Sequence, residues 1–459
     1  MTVYHNQQAV PSLQPQFVDA QSTRIPRQSF AKRIIRPSKM FVIKEELKLF
    51  KAQYPDTAVY NASQGDGGMS LGGVPPEELA EALIRYLPAQ ASTAYGSPVG
   101  REDVRAAICQ RYHQLSSLNP EHVIIGDGGR DLLQKWFQMI QQETGGIGGS
   151  IVVSAAPWGS YKHVTYMNGL NVIMAPGNAD TGFRITTDGI DHCIELAKQA
   201  NRELVGLVIT SPDNPTGNTL QQEDVKTLIE HAVARGISYV MVDLMYHVVT
   251  DPGLKLYDID ELITSLSPKA LNATVLLDGL TKAIGGSNLR SCHLVCGSLH
   301  TVQRLKGLAT HSVLPNALGE AAALEVYGAE DPFSHPWVQR VVQPTAASRA
   351  LLRKRLTELG LKHIIGQGYY TFINIWPWLG ASLPAHITLK RADGSNVEHI
   401  DSVETLKSYL AQCCGVAIIH GSVFQQPDFI RFSYANTPEY TDQALTTLIN
   451  GLRALNTAH

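Results

Sequence analysis

Short apolar runs recur through the middle of the chain. Each is closed by polar residues and separated from the next by a stretch of helical period. The runs lie at 122–125, 151–153, 170–174, 204–209, 239–242, 274–277 and 294–296. A strand without polar alternation has no face for water, so both of its faces must be covered. Strands of that kind alternating with helices predict an α/β fold built on a mostly parallel sheet. Helices are expected over 76–90 (Leu79, Leu83, Ile84 and Leu87 on one face), over 101–115 (Val104, Ile108, Tyr112, Leu115), from about Arg130 (Leu132, Leu133, Phe137) and over 221–235. Open sheets of this type bind ligands beyond the carboxyl ends of their strands. The polar residues that close each run are therefore the candidate site.

The pattern changes near Ser334. A long helix is expected over 337–359, then a strand at 370–376, a hairpin around Ala392-Asp393-Gly394, a helix at 403–412, strands at 416–419 and 429–433, and a last helix at 440–452. This reads as a smaller α+β domain. Residues 1–40 are polar and broken by Pro11, Pro15, Pro26 and Pro37, which predicts an extended arm, followed by a helix at 45–53. The expected division is an arm at 1–40, part of the small domain at 41–70, the large domain at 71–333 and the rest of the small domain at 334–459.

Hydrophobic residues make up 44% of the 459, which excludes an intrinsically disordered chain. The formal net charge of -3 argues against a basic nucleic-acid binder. The six cysteines are scattered, so no disulfide framework is expected, and Cys292 and Cys296 lack the second ligand pair of a zinc site. No apolar stretch reaches the roughly 18 residues of a membrane span, and the N-terminus has neither a basic start nor an apolar run. A soluble cytoplasmic protein is the expectation.

Four residues carry the chemistry. Asn214 lies in Ser211-Pro-Asp-Asn-Pro-Thr-Gly217. Asp243 opens Asp243-Leu-Met-Tyr246. Lys282 follows Thr281, and Arg290 comes eight residues later. Their intervals are 29, 39 and 8 residues. In this order and spacing, residues 55–450 resemble the class I/II aminotransferase family of fold type I pyridoxal-phosphate (PLP) enzymes, which includes aspartate aminotransferase. The resemblance implies a large domain with a mostly parallel seven-stranded sheet, a smaller α+β domain and PLP as cofactor. It implies Lys282 as the amine that joins the cofactor aldehyde and then moves the substrate Cα proton. Asp243 would pair with the pyridine nitrogen. Asn214 and Tyr246 would donate to the phenolic oxygen, and Trp158, in Pro157-Trp-Gly-Ser-Tyr161, would stack on the ring. The phosphate would lie against Arg290, Thr281 and the backbone of Gly129 and Arg130, where a strand passes into a helix. Tyr95 would reach the phosphate of a partner subunit, so a homodimer with shared sites is expected. Arg431 would grip the substrate α-carboxylate with its planar fork, with Gly65 nearby.

The chain departs from the family pattern in several places. Gly279 stands where a phosphate-binding Ser or Thr is frequent, and Cys292 where the family has glycine. His420-Gly421 replaces Pro-Gly; His420 reads either as a core histidine or as a residue of the site rim. Residues 380–402 are longer than usual and suggest an added hairpin. The leading functional expectation is transfer of an amino group from an L-amino acid to a 2-oxo acid, without nucleic-acid or membrane partners. A PLP-dependent lyase or synthase of the same fold (1-aminocyclopropane-1-carboxylate synthase-like, or a carbon–sulfur lyase) is the alternative. A non-catalytic regulatory domain is disfavoured by the intact Lys282, Asp243 and Arg290.

Overall fold

The structure, a computed structural model, describes residues 42–88, 93–145, 148–391 and 394–456. The expected arm at 1–40 and the hairpin residues Ala392 and Asp393 lie outside the described residues. Among the described residues thirteen strands run in chain order: β1 (Tyr60–Asn61), β2 (Val123–Asp127), β3 (Ser150–Val153), β4 (Asn171–Met174), β5 (Leu204–Thr210), β6 (Tyr239–Asp243), β7 (Thr274–Gly279), β8 (Ser291–Cys296), β9 (His363–Ile365), β10 (Tyr370–Asn374), β11 (Val416–Ala417), β12 (Ile419–His420) and β13 (Phe429–Ser433).

Seven of them form one sheet in the order β2-β8-β7-β6-β5-β3-β4. All neighbours are parallel except β8, which runs antiparallel to both β2 and β7. Every residue of β3, β4, β7 and β8 is buried. Helices cover both faces. Val240 and Val242 of β6 join one apolar cluster while Met241, between them, joins the other. Each such side chain contributes about 1.5–3 kcal/mol of burial.

The second unit is a four-stranded antiparallel sheet, β12-β13-β10-β9, backed by helices Pro336–Glu358, Val403–Cys413 and Pro438–Ala454. Near it β1 pairs with β11 in parallel, and helix Val42–Gln53 packs on helix Val403–Cys413. Residues 381–391 and 394–400 pair in antiparallel fashion: Ile400 N–H donates to Ala381, Leu383 N–H to Glu398 and Val397 N–H to Leu389, and Lys390 bridges Asn396. Ala381, Leu383, Leu389, Val397 and Ile400 of this segment pack into the core of the small unit.

Two local expectations are corrected. The single helix expected over 101–115 is an α-helix, Glu102–Ala107, that widens into a π-helical turn, Ile108–Tyr112. His113 N–H bonds back five residues to Ile108, and Gln114 then takes a φ of 53°. Hydrophobic period alone does not register one extra residue in a turn. The strand expected over 416–419 is two short strands in different sheets, split at Ile418, because the chain passes there from β1 to β13.

Candidate active site

The carboxyl ends of β5, β6 and β7 lie side by side, with Thr210 opposite Asp243 and Asp243 opposite Leu277. The Asn214 turn, Asp243 and Lys282 leave from these three neighbouring ends. Parallel pairing thus gathers residues that are 29 and 39 positions apart in sequence.

Asp243 is 5% exposed. Its Oδ2 accepts from the Tyr161 hydroxyl at 2.6 Å and its Oδ1 from the Met245 N–H at 3.0 Å. Burial pushes its pKa up to about 6, against the opposing pull of these two bonds. Among the described residues no cation pairs with it. A buried carboxylate in that state is suited to a cationic N–H donor. Lys282 lies in the turn Leu280–Ala283 directly after β7. Its Nζ donates to the Gly65 carbonyl at 2.7 Å and lies 5.9 Å from the ring centres of both Tyr246 and Tyr369. The Tyr369 hydroxyl bonds the Lys282 carbonyl. Tyr246 donates to the Tyr370 hydroxyl at 3.2 Å, and Tyr370 donates onward to Gly65 at 3.4 Å. Burial and Tyr370 raise the Tyr246 pKa, so its phenol stays a neutral donor.

Arg431, on β13, is 1% exposed. Its Nη1 donates to Asn214 Oδ1 at 2.8 Å and its Nη2 to the Ser63 carbonyl at 2.7 Å, with the guanidinium 4.1 Å from the Tyr370 ring centre. Its Nε has no hydrogen-bond partner. A buried guanidinium with an unused donor is costly unless an anion meets it. Register also settles His420. It pairs with Ile430, whereas Arg431 pairs with Ile419, so the two side chains stand on opposite faces of the sheet. His420 is buried, with its Nδ1 3.5 Å from Glu404, and reads as a histidine of the small unit's core.

Arg290 and the Gly128-Gly129-Arg130 turn form a basic corner. Gly128 has a φ of 85°, and a Cβ there would stand 2.2 Å from Arg290 Nη2, so only glycine lets the guanidinium approach. Gly129 opens helix Gly129–Glu143; the Asp131 and Leu132 N–H groups bond the Gly128 carbonyl, which leaves those of Gly129 and Arg130 as the donors at the helix start. Burial and the Arg290 charge both lower the Arg130 pKa, and no carboxylate bridges the two guanidinium groups among the described residues. The corner suits a phosphate. Trp158 stands edge-on to Tyr161 at 5.4 Å, with Arg130 5.6 Å from its ring.

The two departures at Gly279 and Cys292 are one structural event. They are cross-strand partners on β7 and β8. A Cβ at Gly279 would meet Cys292 Sγ at 2.5 Å and Cys292 Cα at 2.7 Å. The thiol fills the space that a side chain at 279 would need, and Thr281 Oγ1 lies 3.4 Å from that sulfur.

Lys282, Gly65 and Tyr246 thus share one hydrogen-bonded group through Tyr370, Arg431 and Asn214 form a second that meets it at the Tyr370 ring, and Asp243 with Tyr161 lies at the neighbouring strand end, with Gly129, Arg130, Thr281, Arg290 and Trp158 beside that group. Tyr95 is not part of that group: it is 98% exposed on the single chain. Sequence reasoning missed Tyr161, Tyr369, Tyr370 and Ser63. Tyr161 follows Trp158 by three residues, one helical turn, and that spacing was the available signal. Behind the strand ends, His113, Asp278 and His293 form a buried cluster on the opposite face of β7 and β8. It lies beneath the strand that leads to Lys282.

The description "Aminotransferase class I and II" matches residues 61–448. The aspartate aminotransferase of Geobacillus stearothermophilus is 24% identical over 423 residues, covering 90% of this chain and 96% of that protein. The aspartate/prephenate aminotransferase of Thermus thermophilus is 25% identical, covering 81% and 86%. Among solved structures, an aspartate aminotransferase from Rhizobium meliloti superposes with a TM-score of 0.76 at 19% identity, covering 94% of this chain and all of that one. With a match that spans most of its length and the same two-unit fold, this chain belongs to the class I and II aminotransferase family of fold type I, PLP-dependent enzymes.

Proposed function

We propose that the protein binds PLP through Lys282 and transfers an amino group from an L-amino acid to a 2-oxo acid. The observation that carries this reading is Arg431. It is a fully buried guanidinium with an unpartnered Nε that bonds Asn214 and lies 4.1 Å from the ring of Tyr370, whose hydroxyl donates to the same Gly65 carbonyl that Lys282 meets. An α-carboxylate is the anion that such a fork fits, and it would bring the substrate Cα toward the lysine amine.

The residues present fit the cofactor. Asp243 is a carboxylate without a cation and would hold the ring nitrogen. Asn214 and Tyr246 would hold the ring oxygen. Trp158 would cover the ring face, while Arg290, Thr281 and the first turn of helix Gly129–Glu143 would hold the phosphate. PLP supplies an aldehyde that takes up amino groups and a ring that stabilises negative charge at the substrate Cα. The chain supplies position and proton movement. Arg431 fixes the carboxylate, Tyr246 and Asn214 fix the orientation, and the freed Lys282 amine removes the Cα proton and returns it. The Gly65 carbonyl, already 2.7 Å from Nζ, is the group that would guide the amine. Tyr95, exposed on the single chain, would complete the phosphate site of a partner subunit in a homodimer.

The names of the relatives support amino-acid and 2-oxo-acid substrates, with aspartate the first to try. The test is a screen of amino acids against PLP-loaded protein. Loss of the cofactor's visible band with formation of its pyridoxamine form, reversed by a 2-oxo acid, is expected. Release of a 2-oxo acid and ammonia with the band retained would instead mark a lyase and overturn the reading.

A further inference from the structure

Beneath the active site, on the other face of the sheet, lies a group of side chains that the aminotransferase chemistry does not use. His113, Asp278 and His293 are each at most 4% exposed, and one donor atom from each lies within 4.8 Å of the other two. His293 and Asp278 are cross-strand partners on β8 and β7. His113 arrives from elsewhere, at the end of the π-helical turn Ile108–Tyr112. We propose that His113, His293 and Asp278 are the protein ligands of a buried divalent transition-metal ion of the zinc type.

The donor set carries the argument. The Nε2 atoms of His113 and His293 face one another at 2.9 Å. At that distance one ring donates and the other accepts, so at least one nitrogen lone pair points into the space between them. Two imidazoles and a carboxylate are the ligands that zinc and its neighbours favour; calcium and magnesium favour oxygen alone. Nitrogen ligands at about 2.0–2.1 Å from a tetrahedral zinc lie roughly 3.4 Å apart. The two rings would need to separate by only about 0.5 Å, a small adjustment between a turn and a strand.

The surroundings resemble a support layer. Asp278 Oδ2 accepts from His247 Nε2 at 2.7 Å and from the Tyr112 hydroxyl at 2.8 Å, and its Oδ1 accepts from the Gly279 N–H at 2.6 Å. Such bonds orient a ligating carboxylate. The Tyr327 hydroxyl is a second, independent sign. Its side chain is 2% exposed, its ring stands edge-on to His293 at 5.4 Å, and its oxygen has no hydrogen-bond partner. A buried polar group in that condition calls for a partner, and an occupant of the cluster beside its ring would supply one. Gly279 follows Asp278 and Lys282 is four residues on, so an ion here would tie the segment at 108–113 to the strand that carries the reactive amine.

The test uses full-length protein loaded with PLP and expressed in zinc-supplemented medium. After exhaustive dialysis, elemental analysis is expected to return close to one equivalent of zinc per chain. Protein stripped with a chelator and titrated with cobalt(II) is expected to develop the visible bands of a tetrahedral site, saturating at one equivalent. His113→Ala and His293→Ala should each lose the metal and the bands, whereas His300→Ala, at an exposed histidine, should keep both. Folded wild-type protein that holds no zinc and gives no cobalt bands overturns the proposal and leaves a hydrogen-bonded cluster. Metal that persists in both histidine variants places the ion elsewhere and overturns it equally. The wild-type measurement decides the matter even where a variant fails to fold.

Discussion

Placing serine at Gly279 restores the side chain frequent in the family and tests whether this position and Cys292 changed together. Gly279 has a φ of 166°, extended backbone open to any residue, so the cost is packing alone. The new Cβ would lie 2.5 Å from Cys292 Sγ, 2.7 Å from Cys292 Cα and 2.7 Å from the Ser291 carbonyl oxygen. Two of these three contacts are main chain, so rotation of the cysteine cannot relieve them all. Overpacking of this kind costs about 1–3 kcal/mol, and the upper part of that range applies. Cys292→Gly alone empties a buried position and frees a strand residue, for roughly 2–3 kcal/mol. In the double variant the serine occupies the space left by sulfur, while the main-chain contacts remain. The combined loss should therefore fall short of the sum by about 1–2 kcal/mol. Urea-unfolding midpoints of the four proteins, each measured with saturating PLP, give that coupling energy. Additivity within about 0.5 kcal/mol would refute the compensation.

Asp243 makes the stability of the cofactor-free protein depend on pH. Its folded pKa of about 6 exceeds the usual 3.8, so the folded state binds the proton more tightly than the unfolded chain. Stability should therefore rise as pH falls from 7 through 6, by up to about 3 kcal/mol near pH 4. Asp243→Asn should remove that gain and PLP should suppress it; identical pH profiles for the wild-type and Asp243→Asn apoproteins would contradict the assignment. Arg431→Lys keeps the charge but loses the fork, and should lower kcat/KM about 10–100-fold, mostly through KM. Lys282→Ala should lower kcat at least about 10³-fold and abolish borohydride trapping of the cofactor, read by peptide mass spectrometry. Gly128→Ala should displace Arg290 and weaken PLP binding about 10-fold or more, measured by equilibrium dialysis with PLP.

Most of the large sheet was legible because its strands are continuous apolar runs, and the runs at 204–209, 239–242 and 274–277 match β5, β6 and β7 to within two residues at each end. Asn214, Asp243 and Lys282 were legible because each stands just beyond such a run. The π-helical turn was not, because Val104, Ile108, Tyr112 and Leu115 keep helical spacing whether or not the turn holds an extra residue. Tyr161 and Tyr370 were not, because an aromatic residue in an apolar context reads as core; only its neighbour shows that the hydroxyl has a carboxylate or another phenol to meet.

The primary structure set the alternation of strand and helix, the order of the chemical groups and the sheet end where they emerge, since these depend on local hydrophobic period and on which residue closes each run. Folding in three dimensions settled everything that depends on side chains distant in sequence. It paired Gly279 with Cys292, faced His420 away from Arg431, set Arg431 against Asn214 across 217 positions and gathered two histidines and an aspartate behind the sheet. The physical reason is strand register. It assigns each side chain to a face and to a partner, and a shift of one residue would reverse every such assignment without altering a letter of the sequence.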